Sequence, residues 1–152
     1  MGKKGSILVC DDEEIMRDVL ETILSNAGYK VELAKTGEQA VDIYSQRPAD
    51  LVLMDVSMPG MGGLTALEQL MKLDHEAVVL MVTAYATFDT AISAWEKGAA
   101  GVIRKPFQNE QIVALVAKGI KKRKKEEERQ TLRHAMVRSV RREGFIGRSE
   151  VM

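Results

Sequence analysis

Five short apolar runs, each followed by a helix-length segment, narrow what this chain can fold into more than any other feature. The runs are Ser6 to Cys10, Val31 to Ala34, Leu51 to Asp55, Ala77 to Val82 and Gly101 to Arg104. Leu51-Val52-Leu53-Met54 offers no polar face at all, which suits a strand buried on both sides. Ala77 to Val82 is equally apolar, whereas Val31-Glu32-Leu33-Ala34 alternates and predicts an edge strand with one wet side.

Between the runs, Ile15, Met16, Val19, Leu20, Ile23 and Leu24 recur at helical spacing from Glu14 to Ala27, with Gly28 as the stop at the C-cap. Thr36 is placed to cap a second helix from Gly37 to about Gln46, which Pro48 ends. A third helix is predicted over Leu64 to Leu73. A fourth runs from Thr87 to Lys97, with Ala91, Ile92 and Trp95 inward and Gly98 as its end, and a fifth starts near Asn109. Strands alternating with helices at this spacing imply right-handed crossovers and a parallel sheet covered on both faces. The expected fold is α/β, a flavodoxin-like (βα)5 doubly wound sheet of order 2-1-3-4-5, which sets the weaker second and fifth strands at the edges.

In a parallel sheet all strands end on one rim, and here those ends carry chemistry. Asp11 and Asp12 follow the first strand, Asp55 closes the third, Thr83 follows the fourth and Lys105 the fifth. Three carboxylates from adjacent strands repel by several kcal/mol unless a cation lies among them. An all-oxygen donor set favours Mg2+, which takes one or two carboxylates and keeps its other positions for water and phosphate oxygens. A hydroxyl and an ammonium beside it complete a site for a phosphoryl group and leave one carboxylate as nucleophile. Singly, each residue has a plainer reading: Thr83 as a helix cap, Lys105 as a solvated strand end, Asp11-Asp12 as a turn. Five on one rim do not.

Composition excludes several other classes. Cys10 is the only cysteine, so no internal disulfide forms, and its apolar setting marks it as a core residue. No Cys/His spacing suits zinc, and no stretch approaches the roughly 20 apolar residues of a membrane helix. The apolar run near the start is too short for a signal peptide, so a soluble, cytoplasmic protein is expected. The net charge of zero conceals a split: residues 1–117 hold 10 Lys/Arg against 17 Asp/Glu, net −7, whereas residues 118–142 hold 11 against 3, net +8. Such a break marks a boundary near Lys118.

Cys10-Asp11-Asp12, the run from Leu53 through Asp55 to Gly63, Val82-Thr83-Ala84-Tyr85 and Arg104-Lys105-Pro106-Phe107 together resemble the receiver domain of bacterial two-component response regulators. The resemblance covers residues 6 to about 120. It implies that Asp55 accepts a phosphoryl group from the phosphohistidine of a sensor histidine kinase. It further implies Mg2+ held by Asp12, Asp55 and the backbone carbonyl of Ser57, with Asp11 acting through the metal's water shell. Thr83 and Lys105 would contact the phosphoryl oxygens, and the Lys105–Pro106 bond would be cis. Phosphorylation would draw Thr83 inward and shift the fourth helix and fifth strand. One position departs: many receivers carry an aromatic three residues before the lysine, and here Val102 stands there. Either a smaller side chain follows the threonine, or helix movement alone carries the signal.

Beyond the domain the helical signal continues, with neither Pro nor Gly from Ile120 to Glu143. Ile112, Val116 and Ile120, then Leu132, Met136 and Val140, fall at four-residue steps, separated by a charged stretch from Lys121 to Thr131 with no apolar seam. Residues 121–144 therefore read as a helical linker that pairs two chains, or as a solvated helix. A homodimer is expected through this helix and the face of the fourth helix and fifth strand. Lys121 to Lys125 lacks a base-reading motif and runs straight into Glu126-Glu127-Glu128, which argues against DNA binding. The last eight residues, Phe145 to Met152, are similar to the opening of the AAA+ domain of sigma-54-dependent transcription activators. That similarity implies a piece of a longer activator, with contacts to sigma-54 RNA polymerase and DNA made by domains absent here. No Walker A motif is present, so ATP hydrolysis is not expected of it. Two alternatives share the rim chemistry: a free-standing phosphorelay receiver, and a Mg2+-dependent phosphatase working through an aspartyl phosphate. Phosphatases of the haloacid dehalogenase type place the nucleophile on the first strand in an Asp-x-Asp pattern, whereas the candidate here lies on the third.

Overall fold

The computed structural model describes residues 4–84 and 87–142, with side chains as far as Lys125. Tyr85, the segment 145–152 and the side chains of Leu132, Met136 and Val140 lie outside the described residues. Five parallel strands, β1 (Ser6–Cys10), β2 (Lys30–Ala34), β3 (Leu51–Asp55), β4 (Val79–Thr83) and β5 (Gly101–Arg104), adopt the expected order β2-β1-β3-β4-β5. The helices are α1 (Glu14–Asn26), α2 (Gly37–Gln46), α3 (Gly63–Leu73), α4 (Phe88–Glu96) and α5 (Asn109–Arg142).

Alternation along the central strands feeds two cores. Ile7, Val9, Leu51 and Leu53 meet Leu20 and Leu24 of α1 and Ile112, Val116 and Ile120 of α5. Leu8, Cys10, Val52 and Met54 point the other way, toward Ala40 and Tyr44 of α2, Ala66, Leu67 and Leu70 of α3 and Ala94 of α4. Each large aliphatic side chain buried in this way stabilises the fold by about 1.5–3 kcal/mol. All five residues of β3 are buried, so the strand that ends in Asp55 is a firmly fixed part of the sheet. Thr36 caps α2 as expected, its Oγ1 accepting from the Gln39 N–H at 3.0 Å.

Several local expectations are corrected. Asn26 is the last residue of α1 and Ala27 its C-cap, with Gly28 one position further at φ 102°, a conformation few other residues adopt. Ile15 is 79% exposed and Val19 also lies outward, so the seated stripe of α1 is Arg17, Leu20 and Leu24. Ile92 and Trp95 of α4, expected inward, face outward, Trp95 at 75% exposure. That helix touches the sheet along a narrow stripe centred on Ala94; at about 100° per residue Ala91 falls beside this stripe, and Ile92 and Trp95 fall away from it. β4 starts at Val79, because Ala77 is still engaged in the preceding turn through its N–H to the Asp74 carbonyl. α5 continues unbroken for 34 residues, roughly 50 Å at 1.5 Å per residue.

Candidate functional site

The predicted rim residues converge. Asp11, Asp12 and Asp55 each bring a carboxylate oxygen within 4.8 Å of the other two, Asp11 and Asp55 from buried positions and Asp12 from an exposed one. Lys105 Nζ lies 3.1 Å from Asp11 Oδ2 and 3.7 Å from Asp55 Oδ2. Thr83 ends β4 opposite Arg104 and is almost fully buried, and the Lys105 N–H donates to its carbonyl at 2.8 Å. The Lys105–Pro106 bond is cis. Ser57 follows two residues after Asp55 and donates its N–H to Asp55 Oδ1 at 3.3 Å. Val102 is half-buried, packed on the core beneath α2, α3 and α4.

Local chemistry holds these groups in place. Asp11 Oδ1 accepts from the Glu13 N–H at 2.9 Å, which fixes the carboxylate at the entry to α1. From inside that helix, Arg17 Nη1 donates to the Asp11 carbonyl at 2.7 Å. Arg17 is itself buried, and sequence reasoning overlooked it because charged residues default to the surface. Its signal was present nonetheless: it lies in phase with Leu20 and Leu24.

Burial, and then the neighbouring Asp11 carboxylate, push the Asp55 carboxyl up to about 6 against the opposing pull of Lys105 and the Ser57 N–H. Burial and the same carboxylates raise the Cys10 thiol to about 12, so this cysteine is inert at neutral pH. Three carboxylates face one lysine, and the excess negative charge on an all-oxygen donor set fits a hard divalent cation.

A pH dependence follows. The folded chain binds the Asp55 proton more tightly than the unfolded chain, whose carboxyl titrates near 3.9. Its contribution to stability is therefore fully present below about 4 and is lost as pH rises through about 6. Without divalent metal, the wild-type chain is expected to lose on the order of 2 kcal/mol from this group between pH 4.5 and 7.5, and Asp55→Asn to lack that component. Thermal melts of both proteins across that range check it; parallel curves would refute it.

A doubly wound sheet that collects carboxylates, a lysine and a threonine at its C-terminal rim has them where open α/β sheets bind their ligands. The family model for the response regulator receiver domain matches residues 7–117, and the chain belongs to that family. It is 34% identical over 118 residues to the DNA-binding transcriptional regulator NtrC of Klebsiella pneumoniae, covering 78% of this chain and 25% of the regulator. The chain thus spans about a quarter of the NtrC regulators it matches. With chemotaxis protein CheY of Thermotoga maritima it shares 37% identity over 119 residues, 78% of this chain and 98% of that protein. Among solved structures, NtrX of Brucella abortus bound to ADP superposes with TM-score 0.79 at 30% identity, over 88% of this chain and 29% of that one. The CheX–CheY complex of Borrelia burgdorferi with BeF3 and Mg2+ superposes through one of its chains with TM-score 0.72 at 29% identity, over 74% of this chain and 87% of that one. The chain is accordingly a receiver domain of the two-component system type, with an acidic pocket of the kind that binds Mg2+ in such domains. Among the described residues no helix is long and apolar enough to cross a membrane.

Proposed function

We propose that Asp55 is the phospho-acceptor of a switch driven by a sensor histidine kinase. An Asp55 carboxylate oxygen attacks phosphorus; the P–N bond to the kinase imidazole breaks as the P–O bond forms, and the departing nitrogen keeps the electron pair. The observation that carries this reading is the meeting of Asp11, Asp12, Asp55 and Lys105 on one rim. Asp12, Asp55 and the Ser57 carbonyl would hold Mg2+, with Asp11 oriented toward its water shell by the Glu13 N–H. When bound, the metal neutralises charge on the transferring phosphoryl oxygens. Lys105 is released from Asp11 and Asp55 to meet one such oxygen, and Thr83 meets another. The BeF3 and Mg2+ in the Borrelia burgdorferi complex support this assignment.

Stoichiometric, transient labelling by a small phosphodonor fits a switch; sustained release of phosphate over many turnovers would favour the phosphatase alternative. For output, we propose control of a sigma-54-dependent activator module through the linker 121–144, with 1–120 as receiver and 145–152 as the start of an AAA+ domain. The likeness to the DNA-binding transcriptional regulator NtrC supports an output in transcription. Phe88, Ile92 and Trp95 recur along the exposed side of α4 and offer an apolar surface for a second copy beside β5. Pairing through the linker predicts that the 152-residue chain sediments as a dimer and a version ending at Ile120 as a monomer. Equal masses in analytical ultracentrifugation would remove the linker from the interface.

A further inference from the structure

Arg123 stands apart from the basic run that contains it. Lys121, Lys122, Lys124 and Lys125 are exposed, whereas Arg123 is half-buried. It follows Ile120, the last apolar residue by which α5 is seated on the sheet, at the three-residue step that keeps it on the same helix face. Its guanidinium reaches acceptors outside its own helix. Nη1 donates to Tyr44 Oη at 3.1 Å and to the Glu76 carbonyl at 3.2 Å, and Nη2 donates to Asp74 Oδ2 at 3.2 Å. The Tyr44 hydroxyl donates to the same Asp74 oxygen at 2.7 Å, and Asp74 Oδ1 accepts from the Glu76 N–H at 2.9 Å.

The acceptors come from three places: the last turn of α2, the C-cap of α3 and the turn before β4. The Tyr44 ring is wholly buried, so its hydroxyl is a fixed point. Burial and the bond to Asp74 raise that hydroxyl to about 12, and it stays a proton donor at neutral pH. Hydrogen bonds from Tyr44, the Glu76 N–H and Arg123 hold the Asp74 carboxyl below its usual range although burial opposes this, and it stays an anion.

We propose that Arg123 is a positioning residue that sets the direction in which α5 leaves the receiver, tying the first turn of the linker to α2 and the α3–β4 turn. Among the described residues the apolar seat ends at Ile120, and without Arg123 the helix would pivot there. The consequence for signalling rests on the segment beyond Ile120 acting as the output linker; the tether itself does not. The planar fork matters: the contacts are divided between Nη1 and Nη2 of one rigid plane, whereas lysine gathers its donors on a single nitrogen and loses that spacing.

The test is amide hydrogen exchange on the 152-residue chain, comparing Lys121 to Lys125 with Leu51 to Met54. In Arg123→Gln, protection of the first set is expected to fall about tenfold while the second keeps its wild-type value. Tyr44→Phe, which keeps the ring, is expected to give a smaller loss confined to the same amides, and Arg123→Lys to restore little of the protection lost in Arg123→Gln. Unchanged protection at Lys121 to Lys125 would overturn the proposal, as would an equal fall in both sets, which marks a general loss of stability. Phosphodonor labelling of Arg123→Gln, expected at the wild-type level, reports on the receiver reading separately.

Discussion

Incubated with acetyl phosphate and Mg2+, the chain is expected to take up about one phosphoryl group, and Asp55→Asn to take up none above background. The substitution removes the anionic oxygen proposed to attack phosphorus and puts in its place an amide, a far weaker nucleophile. It is nearly isosteric, and the strand that carries it is buried along its whole length, so the fold should survive. In metal-free buffer it should even gain stability at neutral pH, since the folded chain resists ionising Asp55 beside Asp11. Loss of labelling together with a raised melting temperature is therefore the expected pair, and misfolding cannot mimic it. EDTA should suppress labelling of the wild type as fully as the substitution does. Labelling of Asp55→Asn at the wild-type level would move the nucleophile to another carboxylate and overturn the assignment.

The second large effect concerns a residue without a side chain. A Cβ at Gly63 would collide with the backbone of Asp55 and Val56: its nearest neighbour is the Asp55 carbonyl oxygen, and the Asp55 carbonyl carbon and Val56 Cα lie at 2.8 Å. These are main-chain atoms of the most buried strand and the residue after it, and they cannot rotate aside as a side chain would. The Gly63 N–H also donates to the Val56 carbonyl at 3.0 Å, so α3 begins hard against the end of β3. Gly63→Ala is expected to cost about 3 kcal/mol or more, at the upper end for overpacking. In any folded fraction the Asp55 main chain must shift, so phosphoryl uptake per folded chain should fall as well. Chemical denaturation and labelling check the two effects; a variant within 1 kcal/mol of wild type would show the close approach to be relieved cheaply, against about 3 expected.

Strand order was legible because burial differs between strands. β3 and β4 carry no polar residue before their ends, β2 alternates and β5 is short, and the doubly wound order 2-1-3-4-5 is the one that leaves those two weaker strands at the edges of a flavodoxin-like sheet. The rim cluster followed from topology alone, since parallel strands that end in Asp, Thr and Lys have no other place to put them. What sequence did not reveal is which flank of a helix is seated. Ile15 and Trp95 satisfy helical periodicity as well as their buried neighbours, and the seat of α4 falls to Ala94, a residue too small to announce itself. Arg17 and Arg123 were hidden for the opposite reason: a charge reads as solvated until its acceptor is alongside, the Asp11 carbonyl just before its own helix for Arg17 and the Asp74 carboxylate, distant in the chain, for Arg123.

Trp95, the chain's only tryptophan, sits in water on the outer side of α4. The molecule thus carries its own optical label, with a single fluorophore and no second indole to dilute the signal. Whatever comes to cover that helix must strip solvent from this ring, and the colour of its emission will register the event without a dye.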